Sequence, residues 1–193
     1  MLDRSLKWYR VILKRAAGTA VPQVELPSGY SFVHYQTGDE EAWADIEASV
    51  LEFDSQDEAM VYFTTRYLPF QDELMRRTLF IQAANGEKVA TFTAWWNYTD
   101  KRRHPFVHAV AVKPQHQGVG LGKALIAAGI KHMIELEGDC VMYIPTSTWA
   151  YRAIKLYRSA GFEFEWEEPV PGGFVNQTTQ AIEVLKGRLS FWE

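Results

Sequence analysis

Cysteine is almost missing from this chain: Cys140 is the only one. A lone thiol excludes an internal disulfide and suits a reducing compartment. Its plainest reading is a small buried side chain, because free cysteine is among the most buried residue types. Net charge is also small. Twenty Lys and Arg against 24 Asp and Glu leave a formal charge of −4. Broad nucleic-acid or acidic-membrane binding therefore lacks the excess of cations that counterion release requires. No run reaches the roughly 18 apolar residues that a membrane span needs. The opening MLDRSLKWYRVILKRAAG scatters charge throughout and has no apolar signal-peptide core, so the cytoplasm is the expectation. Internal repeats and low-complexity tracts are absent too.

What is present suffices for a packed core. Hydrophobic residues make up 47% of 193 positions and charged ones 23%, which fits a folded domain and excludes a disordered chain. Residues 5–17 space Leu6, Tyr9, Ile12 and Leu13 between Lys7, Arg10 and Lys14. That spacing predicts an amphipathic helix ending at Gly18. The expected organisation is an N-terminal helix over 1–18, a Pro- and Gly-containing linker over 19–29, and a single domain over 30–193. Such a helix docks on its own domain, pairs two copies, or caps a cleft. A membrane surface is the less favoured reading.

The rest of the pattern is mixed. Tyr30–Gln36 reads as a strand. Two helices follow, at Asp39–Leu51 with Ala42, Trp43, Ile46 and Val50 inward, and at Asp57–Tyr67, stopped by Pro69. Leu79–Ala84 and Lys88–Trp96 flank Asn85-Gly86, a strong hairpin signal. After a turn over 100–105 comes the apolar strand Phe106–Val112, ended by Pro114. A helix to Leu136, a strand at Val141–Ile144, a helix from Ser147 or Thr148 to Ala160, a strand at Phe162–Trp166 and a last strand at Thr179–Leu185 complete the expectation. This order implies an α/β fold: a mixed, mostly antiparallel central sheet between helices, in three α-β-α layers.

The stretch QGVGLGKAL, residues 117–125, opens the long helix with three glycines at alternate positions. Glycine there weakens a helix by about 1 kcal/mol per residue, so bare backbone must serve some purpose. A helix N-terminus offers unpaired N–H donors and about half a positive charge, and glycine lets an anion reach them. Two phosphate templates fail. A Walker loop needs wider glycine spacing and Ser or Thr where Ala124 stands. The dinucleotide fingerprint needs glycine where Lys123 stands. A third template, Q/R-x-x-G-x-G/A behind a strand ending V-x-V-x-P, fits Val110-Ala111-Val112-Lys113-Pro114 followed by Gln117, Gly120 and Gly122. In this the chain resembles the GNAT superfamily of N-acetyltransferases. The stretch Ala153–Phe162, AIKLYRSAGF, is similar to that family's A-x-x-L-Y-x-x-x-G-F, one strand further on. The resemblance covers about residues 30–166. Ala150 stands where the family often has Asn.

The resemblance implies acetyl-coenzyme A as co-substrate and a primary amine of a small molecule or peptide as acceptor, attacking directly in a ternary complex. The pyrophosphate would lie on the amides of Gly118, Val119, Gly120, Leu121, Gly122 and Lys123, with Gln117 bridging. The pantetheine arm would run beside Val110, Ala111 and Val112 where that strand parts from Val141–Ile144. The Val110 N–H would bond the thioester oxygen, and no metal is required. Tyr157 matches the family's general-acid position. Something must accept the amine's proton. His108 is the leading candidate because it interrupts an apolar strand and alternation puts it on the Val110 face. A packed or edge histidine is the equal alternative. Glu47, Glu52 and Asp54 are weaker candidates. Trp43, Phe53, Tyr62, Phe63, Tyr67, Trp95, Trp96 and Tyr98 lie in segments expected to border the acceptor and suggest an apolar or aromatic amine. Nucleic acid is not an expected partner, and a monomer and a homodimer both remain open. The competing function is a non-catalytic acyl-coenzyme A sensor or interaction module, since fold alone does not separate the two.

Overall fold

The computed structural model describes residues 2–167 and 169–189. Among them, seven strands form a mixed, mostly antiparallel sheet and six α-helices accompany it. The chain divides into two compact units, Gln23–Ala94 with His108–Met133, and Leu2–Pro22 with Trp95–Val107 and Ile134–Glu193. Strands β4 (Lys88–Thr99) and β5 (Arg102–Val112) each contribute to both.

In the first unit, β2 (Tyr30–His34), β3 (Thr78–Ala83) and the start of β4 form an antiparallel ladder, with Phe32 opposite Ile81 and Phe80 opposite Thr91. The Asn85-Gly86 turn joins β3 to β4, and Gly86 has the positive φ, 87°, that such turns need. Helices α1 (Glu40–Ser49) and α2 (Gln56–Arg66) pack together through Trp43, Ala44 and Ile46 against Ala59 and Phe63. Ser55 starts α2: its Oγ accepts the Glu58 N–H at 3.1 Å, and the Glu58 carboxylate reaches back to the Asp54 N–H at 3.0 Å. That is capping-box logic. Helix α2 ends at Arg66 with Tyr67 as its cap, just ahead of Pro69 as expected. Pro69 itself sits in the first turn of a short 3-10 stretch, Leu68–Phe70, which leads into α3 (Gln71–Arg77). Proline suits a first turn because its missing N–H has no partner there anyway. Helix α4 (Leu121–Glu137) crosses β4 closely enough that a Cβ at Gly129 would lie 2.4 Å from the Phe92 ring.

The second unit corrects two expectations. Residues expected in the N-terminal helix form β1 (Arg10–Arg15), antiparallel to both β6 (Met142–Ser147) and β7 (Glu163–Phe164); Leu13 faces Ile144 on one side and Phe164 on the other. Val11, Ile12 and Leu13 are all fully buried. Three consecutive buried residues are the mark of a strand covered on both faces, and Leu6 and Tyr9 happened to fall at helical spacing. The expected last strand is instead α6 (Thr178–Leu185). Its Thr, Ile and Val suggested β-structure, but Ala181, Ile182 and Leu185 are buried at helical spacing. Helix α6 anchors β1: Thr178 Oγ1 accepts the Ile12 N–H and Gln177 Oε1 accepts the Arg10 N–H, both at 3.1 Å. Strands β5 and β6 are parallel and paired at Phe106 and Tyr143. Helix α5 (Tyr151–Ser159) carries Ile154 and Tyr157 inward. Cys140 is half-buried, and burial pushes its thiol pKa up, away from nucleophile behaviour.

Candidate functional site

The first candidate feature lies in the first unit, where β5 gives way to α4. Val110, Ala111 and Val112 end the strand, and the Lys113 N–H still donates to the Val89 carbonyl at 2.8 Å. A 3-10 turn over Pro114–His116 follows. Gln117 then ties the loop back: its Nε2 donates to the Val112 carbonyl at 2.7 Å. Its amide nitrogen thus braces the turn. His116 accepts or donates at Nδ1 with the Tyr30 hydroxyl at 3.0 Å, which fixes the loop from β2. Gly118 and Gly120 have φ of 84° and 97°. Only glycine adopts these angles readily. A Cβ at Gly118 would meet open space, and one at Gly120 would approach only Pro27, at 3.8 Å. Glycine is there for backbone conformation and an open approach, and close packing is not the reason. The helix begins with the Lys123 and Ala124 N–H groups donating to the Gly120 carbonyl, both at 3.1 Å. The preceding amides of residues 118–122 head the helix, where N–H groups have no intrahelical acceptor. These are the backbone donors that the sequence reading assigned to a diphosphate.

The second feature is a buried polar cluster in the same unit. Between His108 and Val110, Ala109 takes φ 51°, a left-handed angle for a residue with a Cβ. Such a conformation costs on the order of 1–3 kcal/mol and interrupts regular alternation. The alternation argument that placed His108 and Val110 on one face therefore does not carry across residue 109. Half-buried His108 shares a 3.3 Å hydrogen bond between its Nδ1 and the Tyr67 hydroxyl. Burial, aided by the Arg66 charge, lowers its pKa to about 3. Tyr67 is buried and in turn hydrogen-bonded to Tyr62; burial pushes both phenols up.

Glu47 lies in the buried row of α1, one turn after Trp43, and is 3% exposed. Among the described residues its Oε1 has no hydrogen-bond partner, nor does the Trp43 indole Nε1. Burial, reinforced by the Glu52 charge, holds the Glu47 carboxyl well above the usual carboxylate range. Glu52 and Asp54, the companion candidates, are exposed. Sequence reading did not foresee the burial of Glu47, although its place in the Trp43–Ile46–Val50 stripe was the available signal. Around it the aromatics expected near the acceptor do gather: Trp43 lies 5.6 Å from Tyr67, 6.0 Å from Phe53 and 6.3 Å from Tyr62, centroid to centroid. Trp95, Trp96 and Tyr98 belong to the second unit instead, where the two tryptophans stack at 4.2 Å. Tyr157, also of the second unit, is 5% exposed and packs edge-on against Phe162 at 6.3 Å.

Comparison with known proteins decides the family. The model of the acetyltransferase (GNAT) family matches residues 40–162. This chain belongs to the GNAT family. It thus carries an N-acetyltransferase domain, of a family that generally uses acetyl-coenzyme A. It is 30% identical over 161 residues to a mycothiol acetyltransferase of Paenarthrobacter aurescens, an alignment spanning 80% of this chain and 49% of that protein. The chain spans about half the length of the curated relatives it matches first. Among solved structures it resembles a GCN5-related N-acetyltransferase of Sphaerobacter thermophilus, with TM-score 0.64, 18% identity, and 83% of this chain and 49% of that chain covered. It also resembles glucosamine-6-phosphate N-acetyltransferase of Arabidopsis thaliana, with TM-score 0.54 and 14% identity over 73% of this chain and 96% of that one. These likenesses establish the α/β fold of the family. Among the described residues no helix is long and apolar enough to cross a membrane.

Proposed function

We propose that this GNAT domain transfers an acetyl group from acetyl-coenzyme A to a primary amine of a small molecule or peptide. The observation that carries this reading is the head of α4. Glycines at φ 84° and 97° leave the amides of 118–122 open to an anion, behind a loop braced by Gln117. Residues Gly118, Val119, Gly120, Leu121, Gly122 and Lys123 would hold the diphosphate of the co-substrate. Val110, Ala111 and Val112 would align its amide-rich arm. Bound there, acetyl-coenzyme A would supply a thioester carbonyl open to attack and a thiolate leaving group.

The chain's own residues supply the proton transfers. Tyr157 is assigned to protonate the departing sulfur, on the strength of the 153–162 motif. A phenol's reference pKa is about 10 and a thiol's about 8.5, so a phenol gives a thiolate a hydrogen bond more readily than a full proton unless the site assists. His108 and Tyr67, linked at 3.3 Å, form a neutral hydrogen-bonding pair beside the acceptor segments. A ring with pKa about 3 stays neutral near pH 7 but holds a captured proton poorly, so His108 suits positioning better than storage of the amine's proton.

An acceptor panel tests the proposal. The full chain is incubated with acetyl-coenzyme A and a set of primary amines, including a mycothiol-type acceptor suggested by the relatives' name, and free thiol release is followed. Release above the hydrolysis background with any amine supports transfer. Saturable coenzyme A binding with no transfer across the panel would support a sensor instead.

A further inference from the structure

Glu47 is a carboxyl inside an apolar wall. Its neighbours in the α1 row, Trp43 and Ile46, are 1% and 0% exposed, and it is itself 3% exposed. A buried carboxylate without a partner is expensive, so proteins either pair such a group or keep it for chemistry. Here Oε1 is unpaired. One turn earlier on the same face, the Trp43 indole N–H is unpaired as well. The two leave one acceptor and one donor unsatisfied in the row that α1 packs toward α2. The aromatic rings of Tyr62, Tyr67 and Phe53 surround Trp43 at 5.6–6.3 Å, an apolar flank to that row. Among the described residues, Glu52 after α1 and Tyr62 and Tyr67 of the α2 region interact with this carboxyl; Arg66 acts on both phenols, and His108 of β5 is hydrogen-bonded to Tyr67. Arg66 is the only cation in that set.

We infer that Glu47 is the proton acceptor of the reaction, the carboxylate that receives the acceptor's ammonium and removes a proton from it before attack. The inference rests on the transferase reading above and names its missing base. The alternative, His108, already shares its Nδ1 with Tyr67 and is the weaker base of the two. A carboxyl raised in pKa by burial is better matched to an amine whose ordinary pKa is about 10.4. The step balances. R–NH3+ gives one proton to the Glu47 carboxylate, leaving R–NH2 and a neutral carboxylic acid. The nitrogen lone pair forms the new C–N bond as the C–S bond breaks with its electrons on sulfur. A second proton from nitrogen is matched by one arriving at the thiolate, and Glu47 returns its proton to solvent. The substrate class is an unhindered primary ammonium next to an apolar or aromatic group.

The test compares wild type, Glu47→Gln and Glu52→Gln in kcat and kcat/KM from pH 5 to 9, using the best amine of the panel. Coenzyme A titration and thermal unfolding accompany it. Glu47→Gln is expected to bind coenzyme A as wild type does while kcat falls about 100-fold or more, the scale of a lost general base, and the acid limb of its profile disappears. Glu52→Gln removes the charge that helps raise the Glu47 pKa, so its acid limb is expected at lower pH than in wild type. A Glu47→Gln enzyme within threefold of wild type with its acid limb intact overturns the assignment. Should that variant not fold, the Glu52→Gln profile decides: a shifted limb supports Glu47 and an unmoved limb overturns it. Wild type that releases no thiol with any amine defeats the transferase reading itself, an outcome distinct from an active Glu47→Gln.

Discussion

Glu47 and Tyr157 are the side chains on which the proposed chemistry turns, and each has a measurable signature apart from rate. The folded protein holds the Glu47 carboxyl above the usual range, so the native state keeps its proton where the unfolded chain has released it. Stability from this group is complete below about pH 4.3, the unfolded value, and is lost as pH rises toward the folded pKa. Glu47→Gln does not titrate. Its unfolding free energy should exceed that of wild type increasingly above pH 5, by about 1.4 kcal/mol for each unit of elevated pKa. Denaturant midpoints at pH 5 and 8 check this, and parallel curves for the two proteins would show that the carboxyl is ordinarily solvated. For Tyr157, buried against Phe162, Phe is a near-isosteric replacement. Tyr157→Phe should keep coenzyme A affinity and unfolding temperature and slow turnover at least about tenfold, the low end for loss of a proton donor. Steady-state kinetics with a validated amine measure it; unchanged turnover removes Tyr157 from the mechanism.

At the level of elements, α4 does two things with glycine. Its head uses Gly118 and Gly120 for conformation, while Gly129 in its middle lets the helix approach β4. Gly129→Ala gains about 1 kcal/mol of helix propensity but places a methyl 2.4 Å from the fully buried Phe92 ring. Overpacking of that kind costs about 1–3 kcal/mol. The expected net effect is a lower Tm, read by calorimetry; a higher Tm would mean that Phe92 can step aside. The same elements show what was legible beforehand. The glycine turn was, because positive φ and bare amides leave a residue-type signature. The Asn85-Gly86 hairpin was, for the same reason. Strand β1 was not: RVILKR satisfies a helical stripe as well as a buried strand, and only pairing with β6 and β7 chooses between them. Helix α6 was hidden by its Thr, Ile and Val, whose β-preference yields to tertiary packing. The burial of Glu47 was half legible, as a charge within an apolar row. The break at Ala109 was not, because nothing in alanine announces a left-handed backbone.

For the molecule as a whole, the N-terminal segment is part of the sheet. Removing residues 1–18 would delete β1 and expose the inner edges of β6 and β7, so aggregation is expected where a detachable helix would have left a soluble remainder. The net charge of −4 gives no broad attraction for a polyanion such as coenzyme A. In the proposed reading, recognition is therefore local, at the head of α4. The most direct measurement is a calorimetric titration of the purified chain with coenzyme A, beside Gly120→Val. Saturable binding by wild type, weakened at least tenfold in a Gly120→Val protein that remains folded, is the predicted result. No association of wild type at millimolar coenzyme A, or equal affinity in the variant, would contradict it.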